Sequence, residues 1–312
     1  MAKQAASTLL MIEPIAFEFN YQTAENNYFQ QLANSSASAV QEQAHQEFLQ
    51  MVAILQNKGI DLIVMSDTLE PHTPDSIFPN NWISFHETGE VVLYPMFAPN
   101  RRAERRYKIL KQIEKDGFII QDVLDYAPFE HQGIFLEGTG SMVLDRVNRI
   151  AYAALSERTH LSLFLQFCEE LRFTPCYFYA NQTVETKRLP IYHTNVMMSI
   201  GDRYAVICLD SIDDATEKQT VVRSLRDSGK EIIEITESQM NHFAGNMLQV
   251  ENRKGEKIAT ISETAYQSLT AKQIEQLSAF NEIVSIPVPV IEKAGGGSVR
   301  CMLAEIFLPK EK

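Results

Sequence analysis

Five segments of the chain share a pattern in which a small polar residue or a cysteine is followed by apolar residues. They begin at Asn81, Ser141, Asn195, Asn246 and Cys301. Successive starts are 60, 54, 51 and 55 residues apart, a spacing typical of supersecondary units repeated in an array. The pattern therefore predicts five equivalent units, each of which places its first strand behind one of these residues.

The residues between two starts predict the order strand, strand, helix, strand. After Asn195 the first apolar run ends at a Gly201-Asp202 turn, a second strand covers 204–209, a helix covers 214–227 and a third strand covers 231–235. Gly229 stands where a helix C-cap is expected. The other units give the same order, with helices predicted over 38–56, 100–117, 159–172 and 263–280 and third strands over 60–65, 176–179 and 283–290.

The fifth unit is divided between the two ends of the chain. Its first strand covers 301–308, its second strand covers 9–12, and its helix and third strand follow from there. Dividing a unit in this way closes a ring of units and hides its edge strands. We therefore expect one α/β domain over residues 1–312, with the five strand starts gathered around a single axis.

Composition and charge narrow the function. The apolar fraction of 45% supports a large core, and the net charge of −12 disfavours nucleic acid as a partner, because such binding depends on neutralising phosphates. No apolar run approaches the roughly 20 residues that cross a bilayer. Residues 1–7 lack the apolar segment of a signal peptide, so we expect a cytoplasmic protein without a membrane partner.

Cys301 is the candidate nucleophile. Cys168, Cys176 and Cys208 lie in apolar segments as small core residues, and the four cysteines show neither metal-ligand spacing nor a disulfide framework. Three glycines, 295–297, allow the main chain to approach closely before Cys301, and Arg300 beside it would favour the thiolate. The alternative is a flexible loop that leads into a strand beginning with cysteine.

A histidine and a carboxylate occur at two further strand starts. His193 lies two residues before Asn195, and Glu137 follows an apolar pair and precedes two glycines at 138 and 140. Taken singly, His193 could be a hydrogen-bonded structural histidine and Glu137 a solvated carboxylate. Their occurrence together with Cys301 at equivalent positions favours one shared catalytic site.

These residues resemble the motifs of the guanidine-modifying, or pentein, superfamily, which includes arginine deiminase, dimethylarginine dimethylaminohydrolase and the amidinotransferases. Leu136-Glu137-Gly138 resembles the acid-glycine motif, His193-Thr194-Asn195 the histidine-x-acid motif, and 295–302 the approach to the nucleophilic cysteine. The resemblance implies a five-bladed α/β propeller with the active site at its centre. The branch that the chain resembles most is the citrulline-utilisation hydrolase or citrulline ureidase group.

The resemblance also implies substrate-binding residues. Segment 78–82, with Asn80 and Asn81, matches a segment that carries an aspartate for the guanidinium in the arginine-processing relatives. The segments containing Arg101, Arg102 and Arg158 resemble those that supply arginines to the substrate carboxylate. For Arg101 and Arg102 the alternative is a solvated helix start.

Asn81 and Asn195 stand where the arginine-processing relatives have aspartates. A buried guanidinium without a carboxylate partner is costly, whereas an amide side chain matches a neutral ureido group as both donor and acceptor. This substitution favours citrulline over arginine. Two structural asparagines that cap turns are the alternative.

The expected function is therefore a cysteine-dependent hydrolase acting on a C–N bond of a ureido or guanidino amino acid, most simply citrulline to ornithine, carbon dioxide and ammonia. Cys301 would attack, His193 would act as acid and then base, and Glu137 would orient His193 and favour its protonated form. The chemistry requires neither a metal nor an organic cofactor. An arginine deiminase or dihydrolase, an amidinotransferase and a non-catalytic ribosome-binding factor on the same fold stay open, as does a homodimer.

Overall fold

Seventeen strands are found in residues 3–32 and 35–311, the part of the chain that the computed structural model describes. In chain order they are β1 (Thr8–Glu13), β2 (Asp61–Ser66), β3 (Ile83–Phe85), β4 (Glu90–Leu93), β5 (Asp122–Asp125), β6 (Val143–Asp145), β7 (Ile150–Ala154), β8 (Thr174–Phe178), β9 (Asn181–Val184), β10 (Lys187–Pro190), β11 (Met198–Ile200), β12 (Tyr204–Ile207), β13 (Glu231–Glu234), β14 (Leu248–Glu251), β15 (Lys257–Ser262), β16 (Glu282–Ile286) and β17 (Ala304–Ile306).

The same described residues form nine α-helices and several short 3₁₀ turns. The helices are α1 (Ala37–Asn57), α2 (Lys108–Lys115), α3 (Gly138–Ser141), α4 (Leu161–Glu170), α5 (Ala215–Asp227), α6 (Glu237–Met240), α7 (Glu263–Ser268), α8 (Ala271–Ser278) and α9 (Pro289–Gly295). None of these helices combines the length and the apolar composition that crossing a membrane requires.

Fifteen of the strands form five three-stranded sheets with one common plan. The sheets are β17-β1-β2, β3-β4-β5, β6-β7-β8, β11-β12-β13 and β14-β15-β16. In each sheet the first pair is antiparallel and the second pair is parallel. A parallel pair needs a crossover connection, and a helix occupies it in every unit. The predicted strand, strand, helix, strand order and the division of one unit between the termini are therefore confirmed.

Helix α1 shows how the covering helices join the core. Its buried residues recur at the three- and four-residue spacing of one helix face; they are Val40, Ala44, Phe48, Met51 and Leu55. Ser36 accepts a hydrogen bond from the Ala39 amide and caps the first turn. The buried face packs with β1 and the approach to Cys301 in one cluster, so α1 supports the strand start that carries the thiol.

Four segments differ from the sequence prediction. The expected helix over 100–117 is a 3₁₀ turn over Pro99–Glu104 followed by α2, because Arg105 leaves the helical conformation. The expected helix over 263–280 is two helices, because Leu269 leaves the helical conformation and Thr270 begins α8 with a capping box. The expected strand over 283–290 ends at Ile286, and Pro289 begins α9 instead, where proline is well placed at a first helical turn. The hairpin of β9 and β10 was not anticipated.

A buried ion pair joins two neighbouring units. Lys230 Nζ lies 3.1 Å from Asp145 Oδ2, and both side chains are almost fully buried. The ammonium also donates to the main-chain carbonyls of Gly201 and Asp202, at 3.1 and 2.9 Å. All three lysine protons therefore have acceptors, which is the condition under which a buried charge is tolerated.

We predict that Lys230→Met lowers the free energy of unfolding by about 3–5 kcal/mol, because the buried Asp145 carboxylate keeps its hydrogen bonds from Asn148 but loses its countercharge. Lys257→Met is the matched control, since Lys257 pairs with Glu251 and Asp202 near the surface, and should lose about 1 kcal/mol or less. Denaturant unfolding measures both. Equal losses of unfolding free energy in the two variants would show that the buried ion pair stabilises the fold no more than the surface pair does.

Candidate active site

Short turns place the strand-start residues. Asn81 ends a 3₁₀ turn over Pro79–Asn81, Asn195 lies in one over Thr194–Val196, and Cys301 lies in one over Val299–Met302. Each turn comes immediately before the first strand of its unit. Because the five first strands are equivalent, the repeat predicts that side chains on these turns lie near one another.

The turns border a narrow cavity. Cys301, His193, Asn81, Arg101 and Arg158 lie in its lining. The other lining residues are Thr23, Asn27, Asp75, Phe78, Tyr192, Gly295 and Gly297. Its accessible volume is about 10 Å³, the room of roughly one water molecule. Five of the predicted site residues thus share one cavity, in a closed conformation.

Glu137 is held behind this cavity by three donors. It is fully buried, and its Oε2 accepts from His193 Nε2 at 2.7 Å and from Arg158 Nη1 at 3.4 Å. Its Oε1 accepts from the Phe97 amide at 2.9 Å. Burial alone would raise the pKa of Glu137, but the charge of Arg158 and the hydrogen bond from His193 hold it below its ordinary range. Glu137 is therefore an ionised partner that orients His193.

His193 is neutral in this environment. Burial lowers its pKa to about 4, outweighing the hydrogen bond and the charge of Glu137 that act in the opposite direction. Glu137 thus favours the protonated form of His193, as expected, but burial outweighs this effect in the closed conformation. Nε2 donates to Glu137, so Nδ1 is left as the basic nitrogen. A Cβ at Gly140 would overlap both His193 Nδ1 and Asn81 Nδ2, which explains why glycine stands there.

Cys301 is buried and flanked by amide groups. Asn246 Nδ2 lies 3.3 Å from Sγ and Asn195 Nδ2 lies 3.7 Å from it. Burial raises the pKa of the Cys301 thiol, although the Ser298 main chain, Asn246, Arg300 and Asn195 favour the thiolate. The resting pair is therefore a neutral thiol and a neutral imidazole.

Arg300 favours the Cys301 thiolate, as the sequence suggested, but its effect on the thiol pKa is smaller than that of burial. Its guanidinium donates to the Leu303 carbonyl at 2.8 Å and to Glu305 at 3.2 Å, so its charge is largely satisfied elsewhere. Burial also raises the pKa values of the other thiols, to about 12 for Cys168 and about 11 for Cys176. All four cysteines are free, and these two belong to apolar clusters, as does Cys208.

Arg101 and Arg158 line the cavity from buried positions and not from an open mouth. Arg101 Nε and Nη2 donate to Glu104 at 2.9 and 3.0 Å, and its Nη1 donates to Asn81 Oδ1 at 2.9 Å. Arg158 Nε and Nη2 both donate to Asn26 Oδ1, at 2.8 and 2.5 Å. Both guanidinium groups have buried partners, so the solvated helix start is excluded for Arg101.

Arg102 and Asn80 lie outside the cavity lining. Arg102 is about one-third exposed and donates to the main-chain carbonyls of Met96 and Phe97, at 3.1 and 3.3 Å. For Arg102 the solvated alternative fits the structure. Asn80 is fully buried and donates to Thr139 Oγ1 at 3.4 Å, so it connects the turn before β3 to helix α3.

Asp75 is a cavity residue that the sequence did not indicate. Its side chain is buried, and Oδ2 accepts from Asn20 at 2.8 Å and from Thr23 at 3.2 Å. Its Oδ1 is buried without a hydrogen-bond partner. Burial raises the pKa of Asp75 despite the opposing charge of Arg101. Six residues before Asn81, it belongs to no repeated pattern, so no signal in the sequence marks it.

Asn246 is the second residue that was missed, although the repeat names it as a strand start. It is fully buried. Its Nδ2 donates to the Asn195 carbonyl at 2.9 Å as well as to Cys301 Sγ, and its Oδ1 accepts from the Arg300 amide at 3.1 Å. The Asn246 side chain thus connects the turn that contains Cys301 to the turn that contains Asn195.

A polar segment of the N-terminal region, which we call the strap (residues 20–27), covers the cavity. Asn20 and Thr23 contact Asp75, Asn26 contacts Arg158, and Asn27 donates to the carbonyls of Gly295 and Gly296 at 3.3 Å. A wider cavity of about 250 Å³, lined in part by Glu25 and Asn26 of the strap, shares Arg158 and Tyr192 with the narrow one. Movement of the strap would join the two.

We predict that the pH midpoint for alkylation of Cys301 by iodoacetamide lies above the usual thiol range of about 8.5, because burial raises its pKa and only the thiolate reacts. Asn246→Asp should raise the midpoint further, by about one to two units, since an amide donor to the thiolate is lost and a carboxylate is added. Peptide mass spectrometry measures the labelling.

Asn281→Asp is the matched control for Asn246→Asp. Asn281 is also a buried amide, but it pairs with Gln249 and the Leu277 carbonyl, away from the cavity. The pH midpoint for alkylation of Cys301 in Asn281→Asp should equal that of the parent protein. A midpoint unchanged by Asn246→Asp, or raised equally by both variants, would remove Asn246 from the control of the thiol.

Comparison with solved structures shows a shared fold. ArgZ, an arginine dihydrolase from the ornithine-ammonia cycle in cyanobacteria, matches with a TM-score of 0.73 and 17% identity; the match covers 97% of this chain but only 41% of that one. The N-terminal domain of ArgZ bound to substrate matches with a TM-score of 0.68 and 17% identity over 96% of this chain and 99% of that one. A dimethylarginine dimethylaminohydrolase adduct with S-methyl-L-thiocitrulline matches with a TM-score of 0.62 and 14% identity. That match covers 98% of this chain and 100% of the other.

No curated protein sequence matches the chain. A family model does: residues 13–308 match the model described as N,N dimethylarginine dimethylhydrolase, eukaryotic. That match takes in nearly the whole chain, including Glu137, His193 and Cys301. The chain therefore belongs to the N,N-dimethylarginine dimethylhydrolase family.

Proposed function

We propose that the protein hydrolyses the ureido group of citrulline to give ornithine, carbon dioxide and ammonia, in the manner of the citrulline ureidase branch. The orientation of the Asn81 amide supports this proposal. Its Oδ1 accepts from Arg101 Nη1, and Arg101 is itself held by Glu104. Because a guanidinium only donates, this contact identifies the oxygen and leaves Nδ2 as the free group.

The free Nδ2 of Asn81 is buried without a hydrogen-bond partner in the wall of the cavity that also contains Cys301. An N–H donor at this place complements the carbonyl oxygen of a ureido group. It offers nothing to a guanidinium, whose nitrogens carry only donors. An unpaired buried donor costs about 1–3 kcal/mol, so the pairing would favour the ureido substrate.

Arginine is a second candidate substrate, and Asp75 is the observation that favours it. Its unpartnered Oδ1 supplies the carboxylate that the sequence appeared to lack, in the same cavity. A buried guanidinium could pair with it. ArgZ, the structural relative, is an arginine dihydrolase. Arginine would then bind with its guanidinium against Asp75 and be hydrolysed to citrulline. The neutral ureido group of citrulline would bind at Asn81 and be hydrolysed in turn to give ornithine.

The proposed mechanism begins from the neutral thiol and imidazole. His193 Nδ1 accepts the Cys301 proton as Sγ bonds to the ureido carbon. The imidazolium then protonates the departing δ-nitrogen, and the carbon–nitrogen bond breaks to release ornithine. Water attacks the S-carbamoyl group with His193 as base, which frees the thiol and a carbamate that gives carbon dioxide and ammonia. Glu137 stabilises the imidazolium through Nε2.

Arg158 would bind the substrate α-carboxylate. Asn26 Oδ1 accepts from both Nε and Nη2, so it occupies the two-pronged donor pair that suits a carboxylate. When the strap moves outward, this pair becomes available beside the wider cavity. Asn195, next to the thiol, would contact the ureido group from the other side.

The five-bladed propeller and its single domain are part of the same proposal. The turn before β3 contacts both α3 and the Cys301 turn, and α3 contacts the Asn195 turn. Asn246 connects the Asn195 turn to Arg300. These contacts link each of the five strand starts to the next, which supports a ring of five blades around the catalytic axis.

A substrate panel tests the function. Citrulline, arginine, N,N-dimethylarginine, succinylarginine and agmatine are each incubated with the purified protein while ornithine, citrulline and ammonia are assayed. We expect ornithine and ammonia from citrulline, and a loss of orders of magnitude in Cys301→Ser, because a hydroxyl ionises far less readily than a thiol. If citrulline does not react and arginine is converted only to citrulline, the protein is an arginine deiminase and this proposal is wrong.

The charge argument has its own test in Asn81→Asp. A carboxylate would pair with a guanidinium but remove the donor to the ureido oxygen, so relative kcat/KM should shift from citrulline toward arginine by about tenfold to a hundredfold. The ratio of the two values is the measurement, since the added charge also raises the pKa of Cys301 and slows both substrates. Asn80→Asp, in the same turn but outside the cavity lining, is the control and should leave the ratio unchanged.

A further inference from the structure

Tyr192 is a buried wall residue of both the narrow cavity and the wider one. Its Oη donates to the Gly296 carbonyl at 2.6 Å, in the glycine segment that leads to Cys301. Burial raises the pKa of Tyr192 well above its ordinary value, so the phenol keeps its proton and remains a donor. The hydroxyl is therefore a fixed connection between the segment before His193 and the segment before the thiol.

The Tyr192 ring packs against Arg158. The guanidinium Cζ lies 4.9 Å from the Tyr192 ring centroid and 5.7 Å from that of Phe97, within the range of cation–π attraction. The Tyr192 carbonyl also accepts from Ser156 Oγ at 2.9 Å, two residues before Arg158. A ring contact does not use the N–H donors of a guanidinium. The Nε and Nη2 pair that Asn26 holds is thus still available for exchange with a carboxylate.

The strap holds the same two groups as Tyr192. Asn26 accepts from Arg158, and Asn27 donates to the Gly296 carbonyl at 3.3 Å. Both contacts would be lost if the strap moved outward. Tyr192 lies outside the strap, and its contacts with Arg158 and Gly296 need no strap residue. Tyr192 can therefore hold both groups while the site is open to substrate.

We propose that Tyr192 is a positioning residue with two separable roles: its hydroxyl holds the glycine segment that presents Cys301, and its ring holds Arg158 for the substrate carboxylate. The second role rests on the proposed function, in which Arg158 binds that carboxylate. The first role concerns only the placement of the thiol. Ser298, whose main chain favours the thiolate, lies two residues after Gly296. Loss of the hydrogen bond from Tyr192 should therefore weaken the stabilisation of the thiolate.

Tyr192→Phe removes the hydroxyl and keeps the ring. The pH midpoint for alkylation of Cys301 by iodoacetamide should rise by about 0.5–1 unit, the effect of one hydrogen bond. Tyr152→Phe is the matched control, because Tyr152 is also a buried tyrosine and its hydroxyl pairs with Ser224 at 2.9 Å, but it lies on β7 away from both cavities. The Cys301 midpoint in this control should equal that of the parent protein. A parent-like midpoint in Tyr192→Phe, or equal rises in the two variants, would overturn the role of the hydroxyl whatever the substrate is.

Steady-state kinetics on citrulline, or on arginine if the substrate panel identifies arginine, test the ring. Tyr192→Phe should lower kcat by about threefold to tenfold and leave KM within about twofold, because the ring stays beside Arg158. Tyr192→Leu, or Tyr192→Met if the leucine variant does not fold, should in addition raise KM by about threefold to tenfold. An equal KM in the variants with and without the ring would overturn the role of the ring.

The two readouts separate this proposal from the proposed function. Absence of turnover with citrulline and with arginine would overturn the proposed function and, with it, the role of the Tyr192 ring. The labelling of Cys301 needs no substrate, so its pH midpoint in Tyr192→Phe would still decide the role of the hydroxyl.

Discussion

The environment of Glu137 is the constraint on which the rest of the site depends. This carboxylate is fully buried, and it stays ionised because Arg158 and His193 both donate to it. Removing charge from water is costly, so a buried group adopts its neutral form unless a partner compensates for the lost hydration. The hydrogen bonds and charges around Glu137 compensate for the lost hydration of its carboxylate. Those around His193 and Cys301 are too weak to stabilise the imidazolium and the thiolate. The closed site therefore rests with an ionised acid, a neutral imidazole and a neutral thiol.

The two arginines in the cavity wall matter for what they hold in place. Arg101 holds the Asn81 amide by its oxygen and leaves the nitrogen without a hydrogen-bond partner, and Arg158 links Glu137 to the strap through Asn26. Replacing either by lysine would keep a charge but lose the geometry, because a single ammonium cannot reach the same set of planar acceptors. The Asn81 amide and the strap are thus both held by guanidinium groups that have several partners each.

The strap explains how a site of this polarity tolerates burial. Its asparagines and threonine supply hydrogen-bond partners to Asp75 Oδ2, to Arg158 and to the glycine carbonyls that precede Cys301. A substrate with a carboxylate and a polar head could exchange these internal hydrogen bonds for its own. Such an exchange keeps the number of satisfied polar groups nearly constant, so opening would require little free energy beyond the movement of the segment.

The sequence by itself determined the repeat, the order of strands and helices and the three catalytic candidates, because strand periodicity and the register of the strand starts are local properties. The same register already contained Asn246, whose contact with the thiol only the tertiary structure reveals. Asp75, the strap and the inward position of Arg101 and Arg158 could not be predicted, since they join segments far apart in the chain. The protonation states were likewise decided by the fold: Arg300 and Glu137 suggested a thiolate and an imidazolium, but burial, which no local pattern reports, favours the neutral forms.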